Sequence, residues 1–399
     1  MAGPGLTAVF ADTPHTLAQD LATRHARVRK GLAALDADAL LLATPVNLLY
    51  TTGRVFNGYA WLPRDGAPRF FVAKPNFAGE NTHAIRKPED IPQILQGLGE
   101  TTGRLALEGD ELPWAAFTRL AKISEKPPAN GSGLLRAARA VKTPFEIALM
   151  RKGGGRHAAV VAEFPRLFKP GMTDHDFALE CEAAMRRAGS LGLFRVNGAG
   201  MEVFMGTVLA GDNAGAPSPY DFALGGAGLD PSLPVGQSGV ALAPGMTVLV
   251  DIAHNFHGYL TDCSRAFHIG APAAETLRAH QCCVDIQRAV AERARPGAAC
   301  ADLYQLALDM AASAGYAECF MGLSHKAKFI GHGTGLYINE WPVIGAKSAS
   351  VIEPGQVIAL EPKIVLPGVG AVGVEDTFVI TADGAENITP CGQELHATG

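Results

Sequence analysis

The chain has 399 residues, 48% of them hydrophobic and 18% charged, with a formal net charge of −5. That composition describes a protein with a large core, divided into one larger and one smaller domain. It excludes two classes of partner: no long basic run awaits nucleic acid, and apolar runs such as 39–43 and 248–250 are too short to cross a bilayer. The first residues carry no basic stretch followed by a long apolar one, so no secretion signal is read. Seven cysteines, an odd number with no C-x-x-C pair, predict reduced thiols and a cytoplasmic location.

In chain order, apolar residues at Leu17, Leu21, Val28 and Leu32 predict an amphipathic helix from His15 to Leu35. Ala39–Ala43, Arg69–Ala73 and Arg104–Glu108 read as strands, and Glu89–Leu98 and Leu112–Lys122 as helices. The alternation predicts an α/β N-terminal domain over residues 1–135. A helix begins at Thr143–Pro144, with Pro in its first turn, and is expected to be weakened by Gly153, Gly154 and Gly155. Without a following G-K-[ST], those glycines are not a phosphate cradle. Thr173 with Asp176 caps the next helix, and Gly189 stops it. Residues 190–243 lack periodicity, and a stretch of that length inside a domain is expected to be functional or to hold irregular strands. Helices return at Ala274–Arg293 and Ala301–Gly315. The domain over residues 136–399 therefore reads twice as helix, helix, strand, bend, strand.

One half-motif is written twice in that domain. Pro244-Gly245 is followed after five residues by Asp251, and Pro354-Gly355 after five residues by Glu361. Each acid leads through a Gly-containing bend to a second acid, Asp262 or Glu375. Four carboxylates on buried strands would be prohibitive without counter-charge. A pair of divalent ions is the expected counter-charge, with His332 of Gly331-His-Gly-Thr-Gly335 as the one imidazole ligand. Cys263 sits beside Asp262 but points to the opposite face of a strand, so it is not read as a nucleophile.

These residues resemble a known family. Asp251-Ile-Ala, Gly258-Tyr-x-x-Asp262-x-Ser-Arg265, Gly331-His332-Gly-x-Gly-Leu336, Glu361-Pro362 and Val374-Glu375-Asp376-Thr377 look like the pita-bread (M24) metallopeptidases. That group includes methionine aminopeptidase, aminopeptidase P, prolidase and the metal-free creatinase. The likeness covers about residues 140–390. Pro45-Val-Asn47 and Tyr50-Thr-Thr-Gly53 resemble the creatinase-type N-terminal domain and favour the prolidase, aminopeptidase P and creatinase branch. The resemblance implies an α+β pita-bread domain with internal pseudo-two-fold duplication, and an N-terminal domain that closes the pocket in a homodimer. It implies that Asp251 binds one ion, that Asp262 and Glu375 bridge two, and that His332 and Glu361 complete the second. Glu361 would also shuttle a proton to the leaving nitrogen. Mn²⁺ is the first expectation, with Co²⁺, Zn²⁺ and Fe²⁺ compatible.

Two positions depart from the family pattern. The second His, seven residues after the ligand His, is replaced by Asn339 in Ile338-Asn-Glu-Trp-Pro342, and the loop before the first acid, 232–239, has no His. Asn339 can donate a hydrogen bond but cannot take a proton, and it is expected at the substrate beside Trp341. His254, His257 and His325 are possible substitutes that read more simply as turn or surface residues. The expected activity is hydrolysis of small peptides, as an Xaa-Pro aminopeptidase or Xaa-Pro dipeptidase. The missing imidazoles keep a second reading open: a hydrolase or lyase of a small non-peptide metabolite on the same scaffold. A non-catalytic binding protein is disfavoured, because costly buried acids would be lost first.

Overall fold

A computed structural model describes residues 16–75, 79–198 and 203–398; His15 lies outside them. The described chain separates into two compact units, with the transition at residues 139–146. The first holds a six-stranded sheet in the order β4-β3-β2-β1-β5-β6. Its strands are β1 (Ala39–Leu42), β2 (Asn57–Pro63), β3 (Arg69–Lys74), β4 (Thr82–Ala84), β5 (Leu105–Leu107) and β6 (Ala129–Asn130). Thr16 and Gln19 form a capping box at the start of the first helix, Leu17–Ala34. Asn47, on the helix Pro45–Thr52, is buried and donates to the Glu108 carboxylate at 2.7 Å. These elements form the expected α/β unit.

The second unit is built on a mixed sheet whose main path runs β13-β12-β14-β16-β11-β8-β7. The strands are β7 (Gly206–Ala210), β8 (Thr247–Ile252), β9 (His254–Phe256), β10 (Tyr259–Thr261), β11 (Ser264–Ile269), β12 (Phe329–Gly333), β13 (Glu340–Gly345), β14 (Val357–Leu360), β15 (Lys363–Leu366), β16 (Gly370–Ile380), β17 (Ala385–Asn387) and β18 (His396–Thr398). Two helix pairs cover it. Phe177, Cys181 and Met185 of helix Asp174–Arg187 share a core with Val208, Val248, Val250 and Phe267. Cys283, Ile286 and Val290 of helix Ala274–Arg293 pack with Ala307 and Ala311 of helix Cys300–Ser313 over Ile358, Ile364 and Val372. This is the duplicated pita-bread arrangement expected from the two half-motifs. Thr173 Oγ1 accepts from the Asp176 amide, and the Thr173 amide donates in return to the Asp176 carboxylate, as the spacing predicts.

The helix Pro144–Val161 runs unbroken through its three glycines despite their expected weakening of it. The reason is packing. A Cβ on Gly154 would lie 2.2 Å from the Ile388 carbonyl oxygen, and one on Gly153 would lie 3.0 Å from Phe256 Cβ. Two of the glycines let the helix approach its neighbours, and that contact offsets their low propensity. His254 departs from expectation as well: it is fully buried, its ring 5.7 Å from that of buried His157. Burial, with the Arg156 charge adding to it, lowers His254 to about 4, so its imidazole is neutral at physiological pH. Among the described residues no helix is long and apolar enough to cross a membrane, and the seven cysteines are free.

Gly154 and Gly155 should therefore respond oppositely to alanine. Gly154→Ala is expected to destabilise by about 1–3 kcal/mol through overpacking. Gly155→Ala, with nothing within 4 Å of the added carbon, should be neutral or stabilising by up to about 1 kcal/mol. Urea unfolding of the two variants checks this, and equal destabilisation would refute the packing account.

Candidate metal centre

The register of the central strands assembles the acids. Ser264 of β11 lies opposite Asp251 of β8 on one side and Glu375 of β16 on the other. Cross-strand neighbours share a face, so Asp251, Ser264 and Glu375 form one row. Asp262 follows β10 and is fixed from behind: its amide donates to Thr377 Oγ1, which donates in turn to the Asp262 carbonyl, both at 2.8 Å. Cys263 packs into the apolar core, although it stands in the link between β10 and β11 rather than on a strand. Glu361 follows β14 directly, and its neighbour Leu360 pairs with Asp376 beside Glu375.

His332 lies on β12 between glycines that have a structural task. A Cβ on Gly331 would meet the Ala359 carbonyl oxygen at 2.3 Å, and one on Gly333 the Trp341 carbonyl oxygen at 2.1 Å. The flanking glycines thus permit close strand approach, and His332 is carried in by that approach. Its Nδ1 lies 3.1 Å from the Gly333 carbonyl oxygen. Its Nε2 faces the acids, 3.4 Å from Glu361 Oε1 and 3.9 Å from Asp262 Oδ2. A ring nitrogen held by the backbone leaves the other nitrogen oriented for a ligand.

Two ligand groups result: Asp262, His332 and Glu375 in one, Asp251, Glu361 and Glu375 in the other, each with its donor atoms within 4.8 Å of one another. The first group fits a divalent ion. Burial, then the Asp251 charge, pushes the Asp262 carboxyl up to about 7. Burial, then the charges of Asp262 and Glu361, pushes Glu375 well above the usual carboxylate range. Glu375 Oε1 is buried with no hydrogen-bond partner among the described residues. These are carboxylates short of positive charge, and a cation among them removes the repulsion.

The second group contains a residue that the sequence reading missed. Lys363, fully buried at the start of β15, places Nζ 2.6 Å from both Asp251 Oδ2 and Glu361 Oε2. Burial would favour its neutral amine, but the charges of Asp251, Glu361 and Glu375 outweigh burial and hold it well above the ordinary lysine value. Burial would likewise raise Glu361, and the Lys363 and His332 partners hold it down at about 2. In the sequence, Lys363 opens the strand Lys-Ile-Val-Leu366 and reads as a solvated flank. The anomaly available was its position two residues after Glu361.

Above the centre lies a cavity of about 810 Å³, lined by Asp251, Asp262, His332 and Glu361. Asn339 also lines it. Its carboxamide is engaged at both ends by Asn197, accepting from the amide at 2.7 Å and donating to the carbonyl at 3.0 Å. It therefore holds the 195–197 segment at the cavity. Trp341, expected beside the substrate, is 44% exposed and is not among the residues lining this cavity. His325, Lys326 and Lys328 line the cavity as well, so His325 is placed as a cavity residue. Apolar walls come from Phe194, Val196 and Phe222, inside the stretch that lacked periodicity.

Behind the acids, Arg265 ties three segments together. Its guanidinium donates to Asp376 Oδ1 at 2.7 Å, to the Glu375 carbonyl at 2.8 Å and to the Gly392 carbonyl at 2.6 Å. Arg265 and Asp376 are both buried.

The family model described as metallopeptidase family M24 matches residues 148–382, and that of the creatinase/prolidase N-terminal domain matches residues 24–141. A probable dipeptidase PepE of Mycobacterium tuberculosis is 31% identical over 288 residues, 72% of this chain and 68% of that protein. An Xaa-Pro dipeptidase of Pyrococcus horikoshii is 25% identical over 381 residues, 92% of this chain and 98% of that protein. Among solved structures, an Xaa-Pro dipeptidase from Bacillus anthracis superposes with a TM-score of 0.79 at 21% identity, covering 94% of this chain and 99% of that one.

Arg265→Met should destabilise the protein by about 3–5 kcal/mol, because it leaves Asp376 buried without its counter-charge. Denaturant unfolding measures this. A loss below about 1 kcal/mol would show that Asp376 is neutralised by other means.

Proposed function

Because the chain belongs to metallopeptidase family M24, whose model spans residues 148–382, we propose that it is a metal-dependent peptidase of short Xaa-Pro substrates, acting as an Xaa-Pro dipeptidase. The observation that carries this reading is the convergence of acids and His332 at a cavity of about 810 Å³. We assign a divalent ion, Mn²⁺ first, to Asp262, His332 and Glu375. When bound, it supplies Lewis-acid polarisation of the scissile carbonyl and activation of water near neutral pH. The expectation of two ions turns on Lys363.

The chain's own residues do the rest. Glu361, poised between His332 and Lys363, is the proton carrier for the leaving nitrogen. Phe194, Val196 and Phe222 offer a dry wall for a proline ring. Lys328, with His325 beside it on the same segment, brings positive charge to the cavity edge. A dipeptide presents its own carboxylate there, which favours dipeptidase over aminopeptidase action. Asn339 is a positioning residue, acting through the 195–197 segment.

With Mn²⁺ loaded, Ala-Pro and Leu-Pro should release free proline, and the corresponding C-terminal amides should be cleaved more slowly. Lys328→Ala should raise KM for dipeptides by roughly 5-fold, the worth of one exposed ion contact, and leave kcat unchanged. Steady-state kinetics separates the two parameters. A chelator should lower the melting temperature, and restored metal at about 100 times Kd should return about 2.7 kcal/mol. Failure to cleave any Xaa-Pro peptide at verified metal content would give the lead to the small-metabolite reading.

A further inference from the structure

The ligand group Asp251, Glu361 and Glu375 already surrounds a cation. Lys363 Nζ lies 2.6 Å from Asp251 Oδ2, 2.6 Å from Glu361 Oε2 and 3.5 Å from Glu375 Oε2. An ammonium has three N–H donors and no acceptor, and here each carboxylate supplies one oxygen. These are the same three acids whose oxygens converge closely enough to hold an ion.

The lysine is built into this position. It is fully buried, and its strand fixes the backbone: its amide lies 3.4 Å from Met321 Sδ, and its carbonyl accepts from the Met321 amide at 2.8 Å. Across β15 and β16 it pairs with Gly373. A Cβ on Gly373 would stand 3.0 Å from Lys363 Cγ, so the pairing partner lacks a side chain where the lysine stem passes.

Charge leaves the choice to space: four carboxylates come within one unit of balance with one divalent ion and the ammonium, and equally with two divalent ions and the ammonium. Two divalent ions beside the ammonium would crowd three cationic centres into the space that two of them fill.

We propose that Lys363 takes the place of one of the two metal ions, leaving a centre built for a single divalent ion on Asp262, His332 and Glu375. Glu361 Oε1, 3.4 Å from His332 Nε2, is the next oxygen in reach of that ion. Asp251 then serves the ammonium. The inference rests on the metal-dependent reading of this same centre, and it replaces the expectation of two ions.

The test is metal content of the full-length protein, saturated with Mn²⁺ and freed of excess by gel filtration, beside Lys363→Gly. The parent should carry one ion per chain and give the spectrum of isolated Mn²⁺ by electron paramagnetic resonance. Lys363→Gly should rise toward two ions and show an exchange-coupled pair. Two ions or a coupled spectrum in the parent would overturn the lysine's role and leave the metal-dependent reading standing. No bound ion would overturn both. A folded Lys363→Gly that stays at one ion would show that something other than the lysine limits the count. If that variant does not fold, the parent spectrum alone decides.

Discussion

The mutual repulsion of buried carboxylates is the constraint around which the second unit is organised. Asp251, Asp262, Glu361 and Glu375 occupy one pocket, where a low dielectric magnifies every like-charge contact. Each neighbour that touches them supplies a donor or a positive charge. Ser264 donates to Glu375 at 2.5 Å, His332 faces Glu361 and Asp262, and Lys363 sits among three of the acids. Thr377 and Arg265 act one layer further out, fixing the backbone from which the acids project. Neither helix pair contributes a ligand. They bury the apolar faces of the sheet and so hold its register, and register decides whether the acids meet.

The duplication explains how one sheet delivers this arrangement. Each half-motif places an acid at or just beyond the end of an apolar strand, where the chain must bend. Placing a charge there limits how much of the strand interior has to accommodate it. Glycine then solves the spatial problem at several levels. Gly331 and Gly333 let β12 close on its neighbours, and Gly154 lets a helix lie against the Ile388 backbone. In each case the lost helix or strand propensity is repaid by packing that a larger residue would block.

Much of this was legible in the sequence, and the failures have specific causes. The repeated Pro-Gly-x5-acid spacing picks out Asp251 and Glu361, and the Gly-containing bend after each leads to Asp262 and Glu375. Cys263 packs into the apolar core as expected, but from the link between β10 and β11 and not from a strand. Lys363 was missed because a lysine opening an apolar strand reads as a solvated edge, and only tertiary placement reveals three carboxylates around it. Asn339 was read as standing in for a histidine's chemistry, yet its carboxamide bonds Asn197, 142 positions away. Sequence periodicity carries no trace of such a contact. The bend after His254 suggests exposure, but His254 lies on β9, a strand buried over its whole length. The glycines of helix 144–161 weaken it locally, and a neighbour that only the fold supplies offsets that loss.

Arg265 joins β11 and β16 to the carbonyls of Cys391 and Gly392, while β18, only a few residues later, pairs in parallel with β11. The strands carrying the acids are thus braced by a segment that lies 126 positions beyond Arg265. Contacts of such wide sequence separation form late and slowly. A refolding chain would therefore hold its mutually repelling acids in a loosely fastened sheet until residues 391–398 dock. The same dependence makes these few residues a sensitive place for substitution, although they contribute no ligand of their own.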